Sequence, residues 1–447
     1  MFSVVRTADD LDSLSRRGLW SNSAPLSPKQ NKILNVFFYT VLFSTFFAMV
    51  GIILYLVYAF MAKNAGSMAH DWLLGIFSDF VFIMDISLEE SPYIVEESSY
   101  PPFAIAILKP FALICKNVFA SYSGTFLTVD ELTSRVILHP EFWVSIVLFF
   151  LVCSLAIIVI VTRLYRLEPL PSLKVALITV ASAPFIFAVM RGNTIYFAFI
   201  FLLLFLLLYE HPKAWVREIA YLCLVVAGLI KIYPLFFGVY LLHKKRIFAS
   251  VRIGVYYFAL FAISFFLFDG GLEDFLPFVE NLGGFASNEA RFLKLNNLSI
   301  TSFIYRIFYI ISPDLANGTV FSVVNYVILG ITLLIATVAG IGTRSSFTRS
   351  AIAASIVILV PSISYFYVLV FMLIPFLEYL KSYDSFGKVD RRIYTTTFMF
   401  IFCAITLLPQ AYLLHTVAVF AMLAIECRRS VKNDVIPYFK NKKAVKA

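Results

Sequence analysis

Apolar stretches of about twenty residues recur along this chain almost from end to end, separated by short polar turns. A run of that length crosses the hydrocarbon core of a bilayer as a helix, because only intrasegment hydrogen bonding satisfies the backbone there. The pattern predicts spans at 33–62, 142–162, 175–190, 195–208, 216–230, 235–242 and 247–268, then at 320–340, 351–365, 367–380, 393–408 and 412–425. That makes about twelve, several of them short. One long polar interruption stands out, at 63–141, with Asp71, Asp79, Asp85, Glu89, Glu90, Glu96, Glu97, Asp130, Glu131 and Glu141. Within it, residues 71–85 have helical periodicity. Asp71, Gly75, Ser78, Asp79 and Asp85 share a polar arc of about 120°, and Trp72, Leu73, Ile76, Phe77, Phe80, Ile83 and Met84 fill the other face. Such a helix is expected to lie along the bilayer surface with its carboxylates at the headgroups.

Composition agrees with the pattern. The chain is 61% hydrophobic and 14% charged, with mean hydropathy +0.88, whereas soluble domains are roughly 45–50% apolar and 25% charged. A soluble core is excluded, and the fold class expected is an all-α polytopic membrane protein. Its net charge is +9, and the basic residues fall unevenly. Under alternation, Arg163, Arg166, Lys174, Lys213, Arg217, Lys244, Lys245, Arg246, Arg344, Arg349, Lys381, Lys388, Arg391 and Arg392 share one side with both termini. By the positive-inside rule that side is cytoplasmic, so the acidic loop 63–141 is extracytoplasmic. This holds only if the apolar piece 102–120 does not cross alone; it is expected to be re-entrant, a hairpin or a surface helix. The organisation expected is a cytoplasmic tail at 1–32, a transmembrane domain at 33–427 and a basic cytoplasmic tail at 428–447, in a plasma membrane.

Other features are discounted. Cys115, Cys153, Cys223, Cys403 and Cys427 are scattered with no CxxC, which fits small buried hydrophobes rather than zinc ligands or disulfides. The polar start of the chain argues against a cleavable signal peptide. Asp10 and Asp12 form a DxD without a soluble catalytic domain around it. The basic tail after Cys427 suits anionic lipid headgroups, and no nucleic-acid partner is expected.

Cations placed against the charge rule carry more information. Arg191-Gly192-Asn193 and Lys231-Ile232-Tyr233-Pro234 lie at outer junctions of successive span pairs, and Arg291, Lys294 and Arg306 in the outer segment 269–318. A cation beside hydrocarbon suits a lipid-borne phosphate, though snorkelling to headgroups explains a single one equally well. The span interiors are nearly free of ionisable residues, unlike ion-coupled transporters. Ser91-Pro92-Tyr93 and Tyr100-Pro101-Pro102 read first as architecture, since proline suits a helix start.

Ser78-Asp79-Phe80, Pro92-Tyr93, Tyr100-Pro101-Pro102, Arg191-Gly192-Asn193 and Lys231-Ile232-Tyr233-Pro234 together resemble the GT-C glycosyltransferases, most closely glycosyltransferase family 87, the polyprenyl-phosphate-mannose-dependent mannosyltransferase-like proteins. The resemblance covers residues 33–298 and weakens in the last third of the chain, where only the spans and Asn296-Asn297 are suggestive. It implies a GT-C-like bundle with an amphipathic helix in the first outer loop. It also implies inverting transfer of a hexose, such as mannose, from a polyprenyl-phosphate donor to a glycan or glycolipid acceptor on the extracytoplasmic face. The family's acidic position matches Asp79 best, with Asp71 as a second candidate because the spacing from Asp79 to Pro92-Tyr93 is short. Glu90-Ser91 replaces the glycine usual before Pro-Tyr. The implied base is Asp79 or Asp71, with Arg191 and Lys231 on the donor phosphate and Asn193, Tyr233, Tyr93, Tyr100 and Asn297 as pocket residues. No cofactor is implied; the acidic loop could take a divalent metal, yet no ligand cluster demands one. Two rivals stay open: a flippase or transporter of a lipid-linked glycan, and a glycan polymerase. The latter would carry its main outer loop mid-chain.

Overall fold

The computed structural model describes residues 26–61, 77–94, 98–122, 127–165, 169–294, 296–403 and 411–438. Asp10, Asp12, Asp71 and the end of the basic tail lie outside them. The described residues fold almost entirely into helices, with one isolated bridge between Asn297 and Tyr365.

Helix starts follow local chemistry. α1 (Pro28–Met61) opens on Ser27, whose hydroxyl accepts from Gln30 N at 3.1 Å while Gln30 Oε1 accepts from Ser27 N at 2.8 Å. This is a reciprocal capping box with proline at the first helical position. The segment that follows, expected to be extracytoplasmic, holds α2 (Ser78–Ile86), then three short helices, α3 (Pro102–Ala106), α4 (Lys109–Ile114) and α5 (Lys116–Ala120), then α6 (Val129–Val136). α7 (Pro140–Tyr165), α8 (Pro169–Ala181), α9 (Ala183–Arg191), α10 (Ile195–Leu208) and α11 (Ala214–Ile230) come next. A 3₁₀ turn at Tyr233–Gly238 leads to α12 (Val239–His243) and α13 (Ile247–Ser264). The second segment expected to be extracytoplasmic, 269–318, holds α14 (Phe275–Ser287), α15 (Glu289–Leu293), α16 (Ile300–Ile311) and α17 (Pro313–Ala316). α18 (Thr319–Gly342), α19 (Ser346–Leu359), a 3₁₀ turn at Phe366–Met372, α20 (Leu373–Ser382), α21 (Lys388–Phe402) and α22 (Ala411–Ser430) complete the chain.

Among the described residues, five helical stretches are long and apolar enough to cross a membrane: Pro28–Gly51, Pro140–Leu164, Ile247–Leu267, Thr319–Gly342 and Phe366–Ser385. α8 and α9 would make a sixth as a pair bent by 50°. The expected dozen crossings are therefore met by length in only half the cases. Among the others, 195–208 and 351–365 form shorter apolar helices, and 235–242 is divided between the 3₁₀ turn and α12. The expected single span 175–190 breaks at Ser182, because Pro184 lacks the amide that would bond one turn back. α16 was not expected as a separate element; it carries an apolar stripe inside a segment read as loop.

Burial separates the centre of the bundle from its rim. Of the apolar 18-residue core of each stretch, 17% of residues are buried within the protein in Thr319–Gly342 and 78% in Phe366–Ser385. On α18, Val320, Val323, Tyr326, Val327 and Leu334 are exposed, as are Phe43, Phe46, Phe47 and Leu54 on α1. Apolar ridges of that extent are lipid-facing surface. The centre is α19, buried from Phe347 to Leu359, together with the Phe366–Met372 turn and α10.

α2 corrects one expectation. It begins at Ser78, and Ser78, Phe80, Val81, Ile83, Met84 and Ile86 are all buried. Rather than lying on the bilayer surface, it is wedged between α4, α6 and α9. Phe80 packs on Phe111, Phe142 and Phe149. Over 78–85 the amphipathic pattern serves a protein core, which periodicity alone does not distinguish from a lipid interface; 71–76 of the expected helix lie outside the described residues. The piece 102–120 is broken before Lys109-Pro110 and again at Cys115 into three short helices, none able to cross alone.

Candidate active site

Connectivity puts Arg191 and Lys231 at one end of the bundle. α10 runs away from Arg191, and α11, packed beside it, runs back to Lys231. The opposite end of that pair holds Glu210, which is paired with Lys244 at 3.1 Å.

At Arg191 the chain must stop its helix, turn and start another within three residues. Gly192 closes α9 in the left-handed region at φ 60°, where glycine alone avoids the Cβ penalty. Asn193 then accepts from Ile195 N, the first amide of α10, at 3.0 Å through Oδ1, and donates through Nδ2 to Asp79 Oδ2 at 2.8 Å. Arg191 donates from Nη2 to Asp79 Oδ1 at 2.6 Å and from Nε to Asp79 Oδ2 at 3.4 Å. Both carboxylate oxygens of Asp79 are thus engaged in a fork-like pair. Phe77 N donates to Met190 O at 2.6 Å and locks the entry of α2 to the exit of α9. Asp79 sits in the first turn of α2, where the helix dipole favours negative charge.

Lys231 ends α11 because Pro234 prevents the helix from continuing, and its backbone is extended at φ −144°. Its Nζ lies 4.5 Å from the centroid of the Tyr100 ring, a cation–π contact. No carboxylate stands within ion-pair distance of it among the described residues. Burial lowers its ammonium from the ordinary 10.5 to about 8, against the opposing pull of Asp79. Burial, then Asp79, raises the Tyr100 hydroxyl well above its ordinary range, so it remains a proton donor. Burial likewise raises Tyr233.

Two expected pocket residues are committed elsewhere. Tyr93 is 1% exposed, packs on Phe265 and Phe278, and donates to Tyr100 O at 2.9 Å. It fixes the backbone that presents Tyr100. Asn297 is 1% exposed, and its side chain makes backbone bonds with Arg291, Ser362, Ser299 and Ser364. Of the other six sequence candidates in the described residues, Asp79, Arg191, Asn193, Lys231 and Tyr100 are joined by direct contacts or the field of Asp79, and Tyr233 stands beside them. Asp71 lies outside the described residues.

Sequence reasoning missed Tyr365 and Tyr367, which follow the turn Ser362-Ile363-Ser364 and stand 6.1 Å apart by ring centroids. Their clue was Pro361 and two serines interrupting an apolar run. Among the described residues no three His, Cys, Asp or Glu side chains gather in a group able to hold a metal.

Fold and site define an integral membrane protein with a carboxylate–cation cluster under an aromatic wall at a junction of helix ends. Residues 99–372, more than half of the chain, match the model of glycosyltransferase family 87. The chain belongs to that family and is a membrane glycosyltransferase. The match includes Tyr100, Arg191, Lys231 and Tyr365; Asp79 lies before it. No curated protein and no solved structure matches the chain.

Proposed function

We propose that this glycosyltransferase has a GT-C-type site on the extracytoplasmic face of a plasma membrane. There it moves a hexose, such as mannose, from a polyprenyl-phosphate donor to a glycan or glycolipid acceptor with inversion. The observation that carries this reading is the pairing of one carboxylate, Asp79, with a nearby cation, Lys231, that has no carboxylate partner of its own. Family membership supports bond making over transport of a lipid-linked glycan.

In this reading Asp79 takes the proton of the acceptor hydroxyl as its oxygen attacks C1 of the sugar. The C1–O bond to phosphate breaks with its electron pair on the phosphate oxygen. A phosphate leaving group needs no protonation, so one base suffices, and in-line attack inverts the anomeric centre. Asn193 and Arg191 aim the carboxylate. The donor phosphate sits by Lys231 and draws on the Arg191 donors, which loosens their hold on Asp79 and leaves an oxygen free to accept the proton. Tyr100 and Tyr233 form the wall beside it.

This assigns a proton-dependent step to Lys231. The group is charged below about 8, so donor affinity is expected to be highest there and to fall as pH rises through that value. Lys231→Arg keeps its charge and should remove the alkaline loss. The measurement is donor KM from about pH 7 to about 9 in detergent. A wild-type profile flat across that window would dismiss the role of Lys231.

A further inference from the structure

The three cations of the second outer segment are not equivalent. Arg306 donates from Nε to Phe292 O at 3.3 Å and from Nη2 to Lys294 O and to Asn297 O, the latter at 3.4 Å. Its charge is committed to holding a turn. Lys294 is exposed. Arg291 is partly buried at the end of α15, with its guanidinium 3.8 Å from the centroid of Phe285, and it stands beside the Tyr365 side chain. Among the described residues no carboxylate lies within ion-pair distance of it.

A built latch keeps Arg291 there. Asn297 bridges Tyr365, its Nδ2 donates to Arg291 O and Ser362 O, each at 3.3 Å, and Leu298 N donates to Ser364 O at 2.7 Å. From Tyr365 a line of rings leads to the site. Tyr365 meets Tyr367 at 6.1 Å, and Tyr367 stacks on Phe187 at 6.4 Å. Phe187 is one helical turn before Arg191 on α9. Arg291 therefore lies across a tyrosine layer from the Asp79–Arg191 pair.

Charge accounting gives it a task. Arg191 is neutralised by Asp79, which leaves Lys231, among the described residues, as a positive charge next to the base with no carboxylate in ion-pair reach. A sugar phosphodiester carries one negative charge. The polyprenyl monophosphate released from it carries about 1.5 to 2, by analogy with other phosphate monoesters near pH 7. We propose that Arg291 is a second phosphate-binding cation, which meets the charge that appears on the departing polyprenyl phosphate while Lys231 holds the charge the donor already has. This rests on the polyprenyl-phosphate reading. In the step, the acceptor O–C1 bond forms, the C1–O bond to phosphate breaks with both electrons left on phosphate, and the acceptor proton passes to Asp79. A cation selective for the product-like charge acts on the transition state more than on the bound donor.

The test compares two ligands on full-length wild type, Arg291→Gln and Arg291→Lys in detergent. One is farnesyl monophosphate and the other farnesyl-phosphate mannose. Arg291→Gln is expected to weaken the monophosphate by about tenfold or more and the phosphodiester by no more than about threefold. With the phosphodiester as donor, its kcat should fall by about two orders of magnitude at little-changed donor KM, and Arg291→Lys should recover part of both losses. Equal weakening of both ligands, or of neither, overturns the inference while leaving the donor class standing. If wild type binds neither ligand, the donor class fails and the inference with it.

Discussion

Replacing Asp79 by asparagine is expected to lower sugar transfer by at least about two orders of magnitude, since the amide cannot accept the acceptor proton. The substitution preserves shape and leaves an oxygen facing Arg191, but it removes the charge that balances a guanidinium 29% exposed beside a carboxylate 15% exposed. Breaking a fully buried ion pair costs about 3–5 kcal/mol; with Arg191 partly solvated and still hydrogen-bonded, the loss here should be smaller, about 1–2 kcal/mol. A double-mutant cycle with Arg191→Gln separates the two consequences. The double variant should regain stability, because no uncompensated charge remains, yet stay inactive, because no base remains. Thermal unfolding and initial rates of transfer on the four proteins are the measurements. Near-wild-type transfer in Asp79→Asn would remove Asp79 as base, and a parallel Asp71→Asn variant asks whether the role moves to the other candidate.

Gly192→Ala is expected to be the most damaging single-methyl change near the site. The residue sits at φ 60°, and a Cβ there would lie 2.2 Å from Phe80 Cβ and 2.8 Å from Phe80 Cγ. Left-handed backbone costs a non-glycine residue roughly 1–2 kcal/mol, and forced overpacking adds about 1–3 kcal/mol. Together they predict a loss of about 2–5 kcal/mol. Because Phe80 adjoins Asp79 on α2, relief by moving α2 would also pull the carboxylate from Arg191, so activity should fall along with stability. Phe80→Ala should not rescue the variant, since the obstructing atom is the β-carbon that alanine retains. Unfolding temperature in detergent and the fraction left monodisperse after heating report the effect. A Gly192→Ala protein as stable and active as wild type would show that α2 and α9 do not meet this closely.

Much of this was legible in the chain itself. Runs such as 142–162 and 320–340 dictate helices in lipid, because no other backbone arrangement is satisfied there, and the structure places α7 and α18 on them. Arg191-Gly192-Asn193 and Lys231-Ile232-Tyr233-Pro234 were readable as helix-end junctions, since glycine and proline act through local backbone geometry. Span number was less legible. Hydropathy does not separate helices that face lipid, such as α18, from ones surrounded by other helices, such as α10. The same ambiguity hid the true setting of α2.

The sequence by itself determined the class of this protein, its helix ends and the kinds of side chain held at them, because these follow from transfer free energies and local backbone sterics. Only the tertiary structure decided which of them meet. It joined Asp79 to Arg191 across 112 positions of chain, turned Tyr93 and Asn297 to structural duty, and brought Tyr365 and Arg291 to the same end of the bundle. Such pairings depend on how helices cross and where non-local contacts close, and no periodicity within a single segment encodes them.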